Sequence, residues 1–219
     1  MKRINVIRRI AIAAIVIGLG FAHANGQNFM HKIKKDLSGG IKAEANLSTF
    51  ILSDMPDTKS NMNIGSTFGV FVKFDLSKHF AIQEDILASY KTLMLEQENV
   101  KSDYHYWGME INIYALGQWK LKGNDRIYLG VGPCTEYGIS ADLETKGTKT
   151  DMYKEDPVTG KAPMTKLNIG AGLMIGYEFS CRIQMNAGYR IGFTNILDAG
   201  NDNSSMFPSK LSLGIGYRF

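Results

Sequence analysis

From Leu167 to Phe219 the chain repeats one rule in three successive segments: every second residue is apolar. Leu167, Ile169, Ala171, Leu173, Ile175, Tyr177 and Phe179 alternate with Asn, Gly, Gly, Met, Gly and Glu. Ile183 to Phe193 repeats the pattern against Arg, Gln, Asn, Gly, Arg and Gly, and Leu211, Leu213, Ile215, Tyr217 and Phe219 face Ser, Gly, Gly and Arg. With 44% of the chain hydrophobic, eighteen apolar residues at these eighteen odd positions would arise by chance with a probability on the order of 10⁻⁷ to 10⁻⁶. A period of two is that of a β-strand, whose side chains point alternately to opposite faces.

The same template fits five earlier segments with more noise. They are centred on Ile41–Leu47, Phe68–Phe74, Phe80–Tyr90, Trp107–Trp119 and Ile127–Ile139. In the third of these, Glu84 stands on the otherwise apolar face. The count is then eight strands, and the expected fold is an all-β, eight-stranded antiparallel up-and-down transmembrane β-barrel. Short turns are expected at Ser77–His79, Lys122–Asp125 and Ser180–Cys181. Longer links are expected at Ser53–Met62, Gln97–His105, Leu143–Pro163 and Asn195–Ser209. Short turns on one rim and long loops on the other form the outer-membrane pattern, with both termini on the periplasmic side.

The first residues read as an export signal. Lys2, Arg3, Arg8 and Arg9 precede an apolar run from Ile10 to Phe21, followed by Ala22-His23-Ala24. A basic flank, a short apolar core and small residues around the cut are the marks of a secretory signal peptide. The expected organisation is a signal over 1–24, with a cut as late as Gly26, a short periplasmic segment over 25–39, and the barrel over 40–219. No Cys follows the small residues, which argues against a lipid anchor. The whole chain is +4, with 25 basic and 21 acidic residues. The signal carries four of the basic residues and no acidic one, so the remainder is neutral. The basic balance therefore gives no reason to expect a nucleic-acid partner. Two cysteines, Cys134 and Cys181, are too few for a disulfide framework and are expected as free thiols.

Alternation alone does not say which face points outward. A secreted lipocalin-like lipid carrier shows the same period with its apolar face inside. The membrane reading is favoured by a polar face rich in glycine and in both charge signs. Aromatics near strand ends (Trp107, Trp119, Tyr177, Phe179, Phe193, Tyr217, Phe219) would form an interfacial girdle. The final LSLGIGYRF resembles the C-terminal sorting signal of outer-membrane barrels. That resemblance implies that Tyr217 and Phe219 are read by the barrel-assembly machinery.

Longer stretches resemble a family. GIKAEANLST, FAIQEDILASY, YWGMEINIYALGQW, YLGVGPCTEYG, GAGLMIGYEF, AGYRIGFTNI and LGIGYRF together resemble the PorT-like outer-membrane β-barrel proteins of Bacteroidetes. The likeness covers about Gly40 to Phe219, with Ile113 where that family often has a proline. It implies an outer-membrane location and a barrel. One namesake is needed for protein export, but the fold by itself fixes no activity.

Candidate chemistry is sparse. GAGLMIG and GVGPCTEYG look superficially like dinucleotide loops, but such a loop must end a strand and open a helix; these glycines lie within strands. Asp103 and His105 offer a carboxylate beside a general base, the basis of an outer-membrane hydrolase reading. The four histidines show no metal-ligand spacing, and no cofactor is expected. The inward charges are more informative. A lumen network of Lys42, Glu44, Glu110, Lys120, Glu136, Glu178, Arg190 and Arg218 is expected, with Lys73, Asp75, Asp85, Lys91 and Arg182 also turned inward. Buried charges must pair, and eight strands leave an interior that side chains just fill. The expected function is therefore non-enzymatic: a structural or partner-binding envelope protein, with a role accessory to protein export as one version. Its expected partners are outer-membrane lipid, the assembly machinery and other envelope or secretion proteins. A narrow channel, the lipid carrier and the hydrolase are the alternatives. The long, mixed-charge link from Leu143 to Pro163 is a further candidate binding loop, though nothing in it names a ligand.

Overall fold

The computed structural model describes residues 36–157, 160–197 and 204–219. The proposed signal and most of the expected periplasmic segment lie outside the described residues.

Among the described residues nine β-strands follow one another: β1 (Leu37–Ser53), β2 (Thr58–Asp75), β3 (Phe80–Gln97), β4 (Val100–Lys120), β5 (Arg126–Thr145), β6 (Thr148–Asp151), β7 (Leu167–Glu178), β8 (Ile183–Gly192) and β9 (Ser205–Arg218). They form one sheet in the order β4-β3-β2-β1-β9-β8-β7-β5-β6, with an additional β4–β5 pairing. The expected eight-stranded up-and-down barrel is thus corrected to a nine-stranded antiparallel sheet in which β5 pairs with β4, β6 and β7. The extra strand lies inside the segment read as the longest loop. Lys146 and Gly147 both take positive φ, 49° and 81°, the left-handed pair required by a tight two-residue hairpin turn. That turn folds Thr148–Asp151 back on β5, pairing Thr145 with Thr148.

A second expected loop is also strand. Glu98 and Asn99 take φ of 48° and 65° and join β3 directly to β4, so Gln97 pairs with Val100. Polar residues from Lys101 to His105 disguised this extension, because both their faces had been expected to meet water. In the structure one of those faces packs inward through Tyr104 and Tyr106, which are buried. The expected contrast between short turns and long loops therefore shrinks to two long links, 152–166 and 193–204.

The strands also differ in length. β4 has 21 residues and β5 has 20, whereas β7 has 12 and β8 has 10. Past the ends of β7 and β8, the two long links bridge the gap by backbone hydrogen bonds. Met152 donates to Ala141 of β5, Met164 to Met152, Thr165 to Ile196, and Ile196 to Met206 of β9. Met164 and Leu197 form an antiparallel bridge in the middle of this strap.

The sheet curls so that one face is enclosed and the other exposed. Leu213, Ile215, Leu173, Ile175, Val131 and Leu129 are among the exposed apolar residues, whereas Lys42, Glu44, Asp85, Glu110, Arg190 and Lys210 are buried. The enclosed face carries two apolar clusters as well. One joins Phe50, Leu93, Tyr104, Tyr106, Met164, Ile196 and Met206 beneath the strap; the other joins Ala81, Tyr114, Leu116, Tyr128, Cys134 and Met174.

Candidate functional site

The enclosed face holds ion pairs that span strands distant in sequence. Arg190 on β8 directs Nη2 to both carboxylate oxygens of Glu44 on β1, at 3.0 and 3.2 Å, and Nε to the Tyr114 hydroxyl on β4 at 3.1 Å. Lys42 lies 2.9 Å from both Glu44 and Asp85. Gln83 donates to the other oxygen of Asp85 at 2.8 Å. Glu110 pairs closely with Lys210 and meets Arg190 Nη1 at 3.5 Å and Lys91 at 3.9 Å. Lys91 in turn pairs closely with Glu136. Lys42, Lys91, Arg190 and Lys210 thus balance Glu44, Asp85, Glu110 and Glu136. In a low-dielectric interior this matching is what permits burial, since an unpaired charge there is strongly unfavourable.

A second group lies toward the end that holds Gly39 and Phe219, whose backbones are bonded at 2.8 Å. Arg218 meets Glu178 at 2.6 Å, and Gln184 donates to the other Glu178 oxygen at 2.8 Å. Asp75 lies 3.3 Å from Arg126 and accepts from Gln118 at 2.9 Å. Lys73 is buried, 3.9 Å from Asp75 and over the Tyr128 ring.

Of the eight residues expected in the network, the structure places Lys42, Glu44, Glu110, Glu136 and Arg190 together. It places Glu178 and Arg218 in the second group. Lys120 lies exposed at the end of β4 and has no ion pair among the described residues. Arg182, also expected inward, is exposed in the turn after β7, with φ of 70°. Lys210 and Tyr114 were not singled out. Continuing the alternation one step back from Leu211 would have turned Lys210 inward beside Ser212, but Pro208 and Ser209 had read as the end of a link. Tyr114 shares the inward parity of Glu110 and Asn112, but its role appears only when Arg190 is seen across the interior.

The interior leaves little free space. A cavity of about 30 Å³ is lined by Lys91, Glu110, Asn112, Cys134, Asn168 and Arg190, among others, room for a water or two. Both polar atoms of the Asn112 amide lack a protein partner although the residue is 1% exposed, which fits such waters. A second cavity of about 30 Å³ lies between Lys91, Glu136 and the strap residues Tyr153 and Met164.

The hydrolase pair is not assembled. The His105 ring nitrogen Nδ1 is taken up by the Tyr90 hydroxyl at 3.0 Å, and the Asp103 carboxylate makes no hydrogen bond among the described residues. No group of three or more His, Cys, Asp or Glu residues placed to hold a metal occurs among the described residues. Cys134 is buried and Cys181 exposed, both as free thiols. A charged, nearly filled enclosed face beneath an apolar exposed face is the reverse of a lipid carrier, whose apolar residues line the cavity. Tyr217 and Phe219 stand on the exposed face with their rings edge to face, centroids 5.9 Å apart.

An apolar exposed face over a paired polar interior defines a β-strand protein of a membrane rather than of water. The chain belongs to the outer membrane protein beta-barrel domain family, whose model matches residues 25–198, and it is an outer-membrane protein in contact with membrane lipid. Among solved structures it is similar to the outer membrane protein OprG from Pseudomonas aeruginosa, at 13% identity and a TM-score of 0.49, covering 84% of this chain and 94% of that one. It is also similar to Neisserial surface protein A, at 14% identity and a TM-score of 0.44, covering 83% and 97%. The attachment invasion locus protein Ail of Yersinia pestis is similar at 13% identity and a TM-score of 0.43, covering 83% and 98%. No curated protein matches the chain.

Proposed function

We propose that this protein is a non-enzymatic, partner-binding or structural component of the outer membrane, with a role accessory to protein export. The observation that carries the reading is the interior. Four basic and four acidic side chains pair there, and cavities of about 30 Å³ remain. An enclosed face filled in this way suits a scaffold better than an open solute path, and among the described residues it brings no nucleophile and base together. The export role rests on the sequence resemblance to PorT-like proteins. The strands of β3, β4 and β5 continue past the outward ring of Tyr90 and Trp107, which gives a partner something to grip beyond the lipid.

The end that carries Gly39, Phe219 and the turns at 76–79, 121–125 and 179–182 is proposed to be periplasmic, because both long links, 152–166 and 193–204, fall at the opposite end and the longer loops of this class are extracellular. Tyr217 and Phe219 are proposed to engage the assembly machinery there. Deleting the gene should disturb the secreted protein profile and the envelope complexes that contain this protein. Unchanged secretion together with unchanged complexes would contradict the reading. The second reading, a narrow channel, is favoured only by the small polar cavity around Asn112. It predicts discrete conductance in planar bilayers, and a trace at baseline removes it.

A further inference from the structure

On the exposed face of the membrane-spanning strands, Glu84 is the one charged side chain among the described positions that carry the alternation. Its cross-strand neighbours are Val72 on β2 and Ile113 on β4, and Ile82 and Ile86 flank it on β3. It makes no hydrogen bond or ion pair among the described residues, and its Oε1 is shut off from solvent without a partner. The neighbouring Asp85 points the other way and is fully paired inside.

Its depth is fixed by the aromatics on the same strand. Tyr90 and Phe80 are ten residues apart on the exposed face of β3. At about 3.3 Å per residue and a tilt of ~40°, they stand about 25 Å apart along the membrane normal, the height of the apolar band. Glu84 lies between them, about 10 Å from the Phe80 level by the same reckoning, beyond the reach of a glutamate side chain to the headgroups. An ionisable group there is unfavourable in lipid and marks a functional position. Among the described residues no other outward side chain at this level bears a charge, so none of them supplies a cation to meet it.

We propose that Glu84 marks a docking surface, formed by β2, β3 and β4, for a membrane-embedded protein that presents a lysine or arginine at the same depth. This goes beyond the scaffold reading by assigning a face and a chemistry to the partner. Charge complementarity selects the occupant: a cationic side chain satisfies the carboxylate, whereas acyl chains do not. Val70, Val72, Ile82, Ile86 and Ile113, on the same face of the three strands, supply the apolar contact around it.

The test uses the full mature chain in liposomes with a labelled, mostly leucine transmembrane peptide carrying one central lysine as probe. Energy transfer should show association with the wild type that weakens at least tenfold for Glu84→Leu and for a lysine-free peptide. Glu84→Asp, which keeps the charge, should retain part of it. The isolated Glu84→Leu protein should fold normally and resist denaturant as well as or better than the wild type, which separates lost docking from lost folding. Equal association of both peptides, or of wild type and Glu84→Leu, would overturn the proposal. So would a wild-type dimer in detergent that Glu84→Leu abolishes, which would make the face a contact between copies.

Discussion

Arg190 on β8 and Glu44 on β1 meet across the enclosed face, with two contacts of 3.0 and 3.2 Å from one guanidinium nitrogen. β9 lies between their strands, so the pair reaches over a neighbour. Arg190 also holds Tyr114 of β4. One side chain thereby ties three strands that the backbone ladder joins only through others.

Arg190→Leu should therefore cost about 3 kcal/mol, the lower end of the range for breaking a buried pair, because Lys42 remains 2.9 Å from Glu44. The double variant Arg190→Leu/Glu44→Leu should be less destabilised than the sum of the singles. Denaturant titration in detergent, followed by tryptophan fluorescence, measures this coupling. Strict additivity would show that the pair is not coupled.

The strap is anchored by a glycine notch. A Cβ at Gly138 would lie 1.9 Å from the Tyr153 hydroxyl, and the Lys166 ammonium sits over that ring, 5.0 Å from its centroid. Gly138→Ala should push Tyr153 out and destabilise by roughly 1–3 kcal/mol, as overpacking does. The local sign is faster tryptic cleavage at Lys154 and Lys161. Unchanged cleavage would show that the notch does not hold the strap.

At the opposite end, Asp125 accepts from the Tyr177 hydroxyl at 2.5 Å and from the Ser180 backbone at 2.7 Å. These bonds, the one from Tyr177 first, hold its carboxyl below the usual carboxylate range. A depressed folded value means that the stabilisation is fully present above the unfolded value of about 3.9 and is lost as pH falls through the folded one. Exchange of the Ser180 amide should accelerate, relative to its intrinsic rate, only under that acid condition. Asp125→Asn should remove the acid dependence.

How much of this was legible in the sequence depended on whether a residue's two neighbours obeyed one rule. The strands of the second half and the inward turn of Lys42, Glu44 and Arg190 follow from strict alternation. Glu84 was visible as the exception to it. The β5–β6 hairpin was not legible, because Lys146-Gly147 sits among charges that also suit a loop. The extended ends of β3 and β4 were hidden for a related reason. Their burial depends on Met164 and Ile196, which arrive from distant links and leave no local mark. Partner choice inside was equally opaque: periodicity turns Arg190 inward, but only the curl of the sheet brings Glu44 and Tyr114 to it. Lys120 shows the reverse error, since correct parity at a strand end still leaves a side chain in solvent.

The exposed apolar face meets lipid, and a tryptophan placed on it reports that contact directly. Leu213 is the sharpest probe, 66% exposed between the small cross-strand neighbours Ala45 and Ala187. With Trp107 and Trp119 replaced by phenylalanine, Leu213→Trp should be strongly quenched in liposomes of lipids brominated at mid-chain. An unquenched tryptophan, in a protein that stays in solution without detergent, would contradict the account.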